Sequence, residues 1–224
     1  MRFSLSLHPQ MEFLQKYGIY ALGFFAQSLF GARLVVQLFY SEKSGKVVSP
    51  TLFWQFSLVA SFLFLIYGIL RDDLVIIIGQ TLSYFIYIRN LQLKNEWNKF
   101  NPLAKFILFV LPALALGWIV AGSDNKLRDI FANSNLSHPI IALGAVGQLM
   151  LNLRFVYQWY YSEKQNDSVL PLGFWVISSV ASVMILSYAS YRLDPVLLVA
   201  QGMGIIVYLR NIFIHFKAKS NTAG

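Results

Sequence analysis

Two arginines lie within long apolar stretches, and each is followed four residues later by a glutamine: Arg33 by Gln37, and Arg154 by Gln158. In a helix this spacing places the arginine and the glutamine on one face. A guanidinium in lipid is costly, so each arginine is expected to face the interior of a helical bundle or to reach the membrane surface. Because the planar guanidinium donors suit phosphate oxygens, the pairs predict recognition of an anionic head group.

Two carboxylates, Glu42 and Glu163, follow these pairs, and each precedes a lysine. A structural ion pair with one of them, or a hydrogen bond to the backbone, is the alternative role for each arginine. For the glutamates themselves, a loop salt bridge is the structural interpretation, since exposed pairs contribute under about 1 kcal/mol. A gate is the functional alternative.

A second set of polar side chains lies in the third apolar stretch of each half. Gln80 and Tyr87 are seven residues apart, as are Gln201 and Tyr208, so each pair shares a helical face. Buried amides need hydrogen-bond partners. Amides and phenols that line a cavity suit sugar or phosphate oxygens, whereas hydrogen bonds between helices are the structural alternative.

The ends of these stretches carry candidate anchors. Arg89 and Arg210 end the third stretches, and we expect them to anchor helix ends at the membrane surface, with a gate as the alternative. Trp54 and Trp175 follow the prolines that begin the second stretches, a position typical of the membrane interface. Anchoring is favoured over stacking on a ligand for these tryptophans.

Residues for catalysis or metal binding are missing from the sequence. It has no cysteine, and its three histidines are far apart. It contains no Ser-His-acid grouping, no metal-ligand spacing and no glycine-rich phosphate loop. We therefore predict no catalytic residue, no metal and no cofactor; a membrane enzyme stays an alternative without a catalytic constellation to support it.

The composition indicates what must position these residues. Hydrophobic residues make up 57% of the 224-residue chain and charged residues 12%, against about 45–50% and about 25% in soluble proteins. A bilayer core needs about 20 apolar residues of helix. The sequence predicts an all-α membrane protein with seven spans, at 17–40, 51–70, 73–92, 103–121, 139–161, 170–191 and 194–214.

The basic residues predict an orientation. With seven spans, twelve lysines and arginines fall on the C-terminal side of the membrane and six on the other. The positive-inside bias therefore predicts a cytosolic C-terminus and an N-terminus outside. The net charge of +8 is then explained largely by topology, and no nucleic acid partner is expected.

The chain contains an internal duplication. A shift of 121 residues aligns 19–90 with 140–211 without a gap, with 29 identities in 72 positions. Each copy holds three spans, and one extra span between them makes both copies enter the membrane in the same direction. The predicted architecture is 3+1+3, two parallel triple-helix bundles of the kind found in some transporters. The predicted divisions are an N-terminal interfacial segment 1–16, a first repeat 17–92, a connector 93–138 with the fourth span, a second repeat 139–216 and a cytosolic tail 217–224.

The repeated residues form a specific pattern. It reads Gly-x3-Gln-x5-Arg-x3-Gln-x3-Ser-Glu-Lys, then Pro-x2-Phe-Trp-x2-Ser, Tyr-x3-Arg-x-Asp and Gln-x6-Tyr-x-Arg-Asn, once in 23–90 and again in 144–211. This pattern resembles the lipid-A-disaccharide synthase N-terminal domain family. The resemblance implies an association with lipid A and related glycolipid pathways. The chain has no separate glycosyltransferase domain, so synthase activity is not implied.

The 3+1+3 plan more distantly resembles the PQ-loop superfamily, which includes the SWEET and SemiSWEET sugar transporters. That resemblance places Gln37 and Gln158 at the glutamine of the PQ motif, and Gln80 and Gln201 at the polar residue that lines the substrate pocket. Val36 and Tyr157 stand where the motif has proline.

These features together predict a carrier or flippase for a phosphate-bearing lipid or lipid-linked sugar of lipid A or envelope glycolipid synthesis. A SWEET-like transporter of small soluble sugars and a non-transporting membrane partner of a glycosyltransferase are the alternatives. The expected partners are membrane lipids, a polyprenyl-phosphate sugar or lipid A precursor, and a membrane glycosyltransferase. The expected location is the bacterial inner membrane.

Overall fold

Seven α-helices make up the described part of the protein in a computed structural model, which describes residues 9–71, 74–122 and 138–223. The helices are α1 (Pro9–Ser44), α2 (Thr51–Leu70), α3 (Leu74–Leu93), α4 (Pro102–Gly122), α5 (Pro139–Gln165), α6 (Leu172–Arg192) and α7 (Pro195–Ala223). A short 3-10 turn, Trp97–Lys99, precedes α4. Much of the predicted connector, 123–137, and residues 1–8 of the predicted interfacial segment lie outside the described residues.

The helices have the length and surface of membrane spans. Five are long and apolar enough to cross a bilayer: Tyr17–Ser44, Thr51–Leu70, Pro139–Gln165, Leu172–Arg192 and Leu197–Asn221. Large apolar side chains such as Phe24, Leu103 and Ile206 are about two-thirds exposed or more, as expected of a lipid-facing surface. The all-helical membrane class is therefore confirmed, while membrane crossing by α3 and α4 stays a prediction.

The helix ends differ from the predicted span ends for a local reason. The Glu-Lys pair of each copy, Glu42-Lys43 and Glu163-Lys164, was expected in a loop, but α1 continues to Ser44 and α5 to Gln165. Each helix ends where the next residue takes left-handed backbone angles, Gly45 at φ +64° and Asn166 at φ 50°, as is common at helix C-termini. The first and last helices also extend into the predicted interfacial segment and tail.

The packing follows the duplication. In the first unit α2 packs against both α1 and α3, and in the second unit α6 packs against both α5 and α7. The units meet along two seams, α1 with α7 and α3 with α5, and α4 packs on α2 and α3. Because α5 and α7 are the copies of α1 and α3, the two seams are related by exchange of the units. We call the end of the bundle where α1, α3 and α5 finish the basic end; its lysines include Lys43, Lys46, Lys94 and Lys164.

The two tryptophans lie in the core of the units. Trp54 and Trp175 are both fully buried, so the expectation that they anchor the protein at the membrane interface is wrong. Their rings lie edge-on to the adjacent Phe53 and Phe174, with centroids 4.7 Å and 5.0 Å apart. Each tryptophan follows its proline by four residues, which turns the indole from the helix start into the unit.

Candidate functional site

The two intramembrane arginines are buried inside the bundle. Arg33 and Arg154 are each 6% exposed. Arg33 Nη1 donates to Ser57 Oγ at 2.9 Å and to the Tyr87 hydroxyl at 3.1 Å. Arg154 Nη1 donates to Ser178 Oγ, the copy of Ser57, at 2.8 Å. Both arginines thus lie in the interior of the bundle and do not reach the membrane surface.

Both guanidinium groups converge on a single aromatic ring. The guanidinium carbons of Arg33 and Arg154 lie 5.2 Å and 5.1 Å from the ring centroid of Phe155. They are therefore within about 10 Å of each other, where two positive charges repel by about 2 kcal/mol at an effective dielectric constant of 20. Further rings surround them: Phe30 and Phe53 on one side, Phe174 and Tyr208 on the other.

No carboxylate among the described residues neutralises the charge of this centre. Among the described residues, neither Arg33 nor Arg154 forms an ion pair. The Nε atom of each is buried and has no hydrogen-bond partner in the part of the chain that the structure describes. Glu42 and Glu163, the expected partners, pair with other residues. A buried charge without a counter-ion is strongly disfavoured, so an anion at this centre would be stabilised.

The two glutamines of the Arg-Gln pairs join the units. Gln37 Nε2 donates to Asn211 Oδ1 at 2.7 Å, and Asn211 Nδ2 donates back to Gln37 Oε1 at 3.0 Å. In the other seam Gln158 Nε2 donates to Asn90 Oδ1 at 2.9 Å, and Asn90 Nδ2 returns a bond at 3.1 Å. All four side chains are fully buried. Each amide pair satisfies its own polar groups across a seam.

The same glutamines hold the loops that follow α1 and α5. Gln37 Nε2 also lies 2.8 Å from Ser41 Oγ and 3.3 Å from the Val48 carbonyl oxygen. Gln158 Nε2 likewise lies 2.7 Å from Ser162 Oγ and 2.8 Å from the Val169 carbonyl oxygen. Both glutamines were predicted to bind substrate, and that role stays a prediction. In this structure the amide nitrogen of each is hydrogen-bonded to protein groups.

Ion pairs close both seams at the basic end. Arg89 binds Glu163 through two hydrogen bonds, of 2.5 Å from Nε and 2.9 Å from Nη2. Arg210 binds Glu42 in the same way, with Nη2 3.0 Å from Oε2. The side chains are one-third to one-half exposed. These arginines were expected to be surface anchors, with a gate as the alternative; the structure pairs each with a glutamate of the other unit, and both roles stay predictions.

The second predicted set lies within the units. Ser61 Oγ donates to Gln80 Oε1 and Ser182 Oγ to Gln201 Oε1, both at 2.9 Å. Gln80 and Gln201 are half-buried, whereas Tyr87 and Tyr208 are buried beside the arginines. The tyrosines therefore belong to the arginine centre, and the glutamines join the second and third helices of their units.

Some residues of the site were not singled out from the sequence. Asn90, Asn211, Ser57 and Ser178 complete the hydrogen bonds described above, and their recurrence in both copies was the available signal. Phe155 carried no such signal, because its counterpart in the first copy is Leu34.

The chain is similar to lipid-A-disaccharide synthases of several Chlamydia species. The lipid-A-disaccharide synthase of Chlamydia pneumoniae is 25% identical over 214 residues, covering 92% of this chain and 35% of the relative. Those of Chlamydia muridarum and Chlamydia trachomatis are 30% and 28% identical, covering 88% of this chain and 34% of each relative. The chain thus spans about a third of the length of these relatives. No solved structure matches the chain significantly.

The duplication is visible in the family comparison as well. The family described as Lipid A Biosynthesis N-terminal domain matches residues 22–92 and again 143–213. Together the matches cover more than half of the chain, and they contain both arginines, both glutamines and both asparagines of the seams. The resemblance inferred from the repeated motif is confirmed: the chain belongs to the Lipid A Biosynthesis N-terminal domain family and carries two tandem copies of that domain.

Proposed function

We propose that this chain is a carrier or flippase for a phosphate-bearing lipid or lipid-linked sugar used in lipid A or envelope glycolipid synthesis in the bacterial inner membrane. The observation that carries the proposal is the pair of buried guanidinium groups around Phe155, which have no carboxylate partner among the described residues. A phosphate group would supply the missing negative charge and accept hydrogen bonds from the free Nε atoms.

The position of the arginines supports a substrate that is partly apolar. Arg33 lies eleven residues before the end of α1 at Ser44, which is about 16 Å of helix rise from the basic end. A phosphate at that depth must cross apolar surroundings, and an attached acyl or prenyl chain can remain in lipid meanwhile. Free soluble sugars do not require two intramembrane charges.

The seams supply the closed state that such a carrier needs. With both arginines only 6% exposed, a head group reaches them only if the units move apart. The amide pairs and the ion pairs all lie between the units, on the seams that would separate. We expect substrate to favour the open state by pairing with the arginine charge, which provides the difference in binding free energy that a population shift requires.

Reconstitution into proteoliposomes tests the proposal. The probe is a fluorescent short-chain polyprenyl-phosphate sugar, and its transbilayer movement is read from the fraction quenched by impermeant dithionite. We expect the Arg33→Gln, Arg154→Gln double variant to move the probe at least tenfold more slowly than the parent protein. The matched control is Arg71→Gln with Arg192→Gln, which removes the same charge from exposed helix ends and should change the rate less than twofold.

The result that overturns the proposal is an unchanged rate in a folded Arg33→Gln, Arg154→Gln variant, or no movement of the probe above empty liposomes. Inhibition of labelled monosaccharide uptake by unlabelled free sugar would instead favour the SWEET-like transporter. The lipid carrier predicts that free sugar has no effect on probe movement.

A second candidate function rests on the comparisons. The similar proteins are named lipid-A-disaccharide synthases and are about three times as long as the region matched here, so in them this region is joined to further chain. A non-transporting partner that docks a glycosyltransferase in the membrane would fit that arrangement. Copurification of the tagged chain with a glycosyltransferase, combined with no probe movement, would favour this candidate over the carrier.

A further inference from the structure

A cleft of about 830 Å³ opens at the basic end, between the loops that follow α1 and α5. Its volume lies in the range of small-molecule sites, about 300–1,000 Å³. Both units contribute to it at equivalent positions, through residues 46–49 of one loop and 167–171 of the other. The arginines around Phe155 do not line it, so the cleft is a separate feature.

Positive charge dominates the lining of the cleft. Lys46, Lys94 and Lys219 line it together with His215, and Asp167 is the one carboxylate among the lining residues. The Asp167 carboxylate already accepts the backbone N–H of Ser168 at 2.7 Å. The lining thus carries two net positive charges with His215 neutral, which favours an anionic ligand of more than one charge.

The walls of the cleft are held in place by hydrogen bonds of four serine hydroxyls. Ser41 Oγ accepts the Val48 N–H and Ser162 Oγ accepts the Val169 N–H, both at 3.1 Å. Between the loops, Ser49 and Ser168 hydroxyls lie 3.0 Å apart. A site fixed in this way loses little freedom when a ligand binds, which raises affinity.

A bound anion would offset the loss of hydration at one lysine of the cleft. Lys94, just beyond the end of α3, is partly buried. Burial lowers the pKa of Lys94, opposed by the charges of Asp167 and Glu96. An ammonium group that has lost hydration gains more from a bound anion than a fully solvated one does.

We infer that this cleft is a binding site for a diphosphate group. Two sources carry that chemistry, the head group of a lipid diphosphate and a soluble diphosphate. Lysine ammonium groups bind phosphate as point charges and can address separate phosphates of one diphosphate. The inference does not depend on the carrier proposal, because the cleft and the arginine centre share no residue.

Calorimetric titration of the purified full chain in neutral phosphatidylcholine nanodiscs tests the inference. The probes are inorganic pyrophosphate and, in a second arm, farnesyl diphosphate in the nanodisc. We expect saturable binding of pyrophosphate that weakens with added salt. The Lys46→Gln, Lys94→Gln double variant should bind at least tenfold more weakly.

The matched control removes the same charge from the same end of the bundle. Lys43 and Lys164 are exposed and do not line the cleft, so Lys43→Gln with Lys164→Gln should alter affinity less than twofold. Thermal unfolding of each variant verifies that it is folded. If the variant and its control weaken binding equally, or if neither probe binds the parent protein, the inference is wrong.

The two arms separate the sources. Tighter binding of farnesyl diphosphate, with displacement by excess pyrophosphate, assigns the cleft to a lipid head group. Binding of pyrophosphate that farnesyl diphosphate does not displace assigns it to a soluble diphosphate. Either result supports a diphosphate site.

Discussion

Gln37 and Asn211 exchange two hydrogen bonds although 174 residues separate them in the chain. The bonds join α1 of the first unit to α7 of the second, and Gln158 with Asn90 repeats them in the other seam. The residues that are identical in the two copies thus bind across the boundary between the copies. The following predictions test this crosswise arrangement and its surroundings.

Removal of one amide from a seam should destabilise the protein by leaving its partner unpaired. We expect Gln37→Leu and Asn211→Leu each to lower the free energy of unfolding, and their combination to cost less than the sum. The coupling should be about 0.5–2 kcal/mol, the range for contacting polar residues in membrane proteins. Unfolding in mixed detergent micelles measures it, and Gln37→Leu combined with Asn90→Leu, residues of different seams, is the additive control.

The ion pairs should tolerate exchange of their charges better than reversal of one charge. Arg89→Glu alone places two carboxylates together and should weaken the association of the units, while Arg89→Glu with Glu163→Arg should restore it. Because these side chains are 42% and 33% exposed, the effect should be about 1 kcal/mol or less and should shrink with salt. Crosslinking of the two units across the α3–α5 seam measures their association. Equal crosslinking in all variants would contradict the prediction.

Because α5 packs closely on α6, replacement of Gly144 by alanine should destabilise the protein. A Cβ atom on Gly144 would lie 2.6 Å from Tyr188 Cγ, whereas one on Gly202 would meet nothing within 4 Å. We expect Gly144→Ala to destabilise by about 1–3 kcal/mol through overpacking. Gly202→Ala, the control, should be neutral or slightly stabilising because alanine favours helix. Thermal unfolding in detergent distinguishes the two variants.

The two buried tryptophans should respond differently to the same substitution. Trp54 Nε1 donates to Ser49 Oγ at 2.7 Å, whereas Trp175 Nε1 is buried and has no hydrogen-bond partner within 9–71, 74–122 and 138–223. Trp54→Phe loses a hydrogen bond and Trp175→Phe loses none, so the first should cost about 1 kcal/mol more in unfolding free energy. Since Leu170 occupies the position equivalent to Ser49, equal costs would indicate that this difference has no energetic effect.

Diphosphate binding in the cleft should weaken as the pH rises into the alkaline range. The pKa of Lys94 is lowered by burial from the ordinary value of 10.5, so its charge is lost at a lower pH than that of an ordinary lysine. The groups that share its surroundings are Asp167 and Glu96, which favour the charged form, and the cationic side chains of the cleft. Lys94→Arg should keep binding to higher pH, because the guanidinium stays charged; identical pH profiles in titrations would contradict the role of Lys94.

The sequence predicted the parts of this structure that follow from burial and repetition. Long apolar stretches determine helices, and the duplication gives Arg33 and Arg154 equivalent positions in the first helix of each copy, so the burial of both inside the bundle was one of the two expected outcomes. The seam partners were not expected, because spacing along one helix identifies which residues share a face but not which other helix covers it. For that reason Arg89 was assigned to the membrane surface, although Glu163 of the other unit binds it.

The sequence is also a poor guide to whether a residue at the start of a helix is buried in the protein. A proline followed three residues later by Phe-Trp is typical of a membrane interface, but here each indole is turned into its unit, where Trp54 packs against Tyr87 and Trp175 against Tyr208. Phe155 illustrates a third limit. Its ring centroid lies 5.2 Å and 5.1 Å from the two guanidinium carbons, yet its counterpart in the first copy is Leu34, so the repeat did not mark it.

The crosswise amide pairs have a consequence for shorter chains. Each unit supplies the glutamine of one seam and the asparagine of the other, so a single unit already contains both halves of a self-complementary interface. Two identical copies of such a unit could meet by two-fold rotation and form the same two seams, as in an isologous dimer. Once the two units are fused into one chain, they no longer have to be identical. They differ, for example, where Phe155 corresponds to Leu34 and where Asp167 corresponds to Lys46.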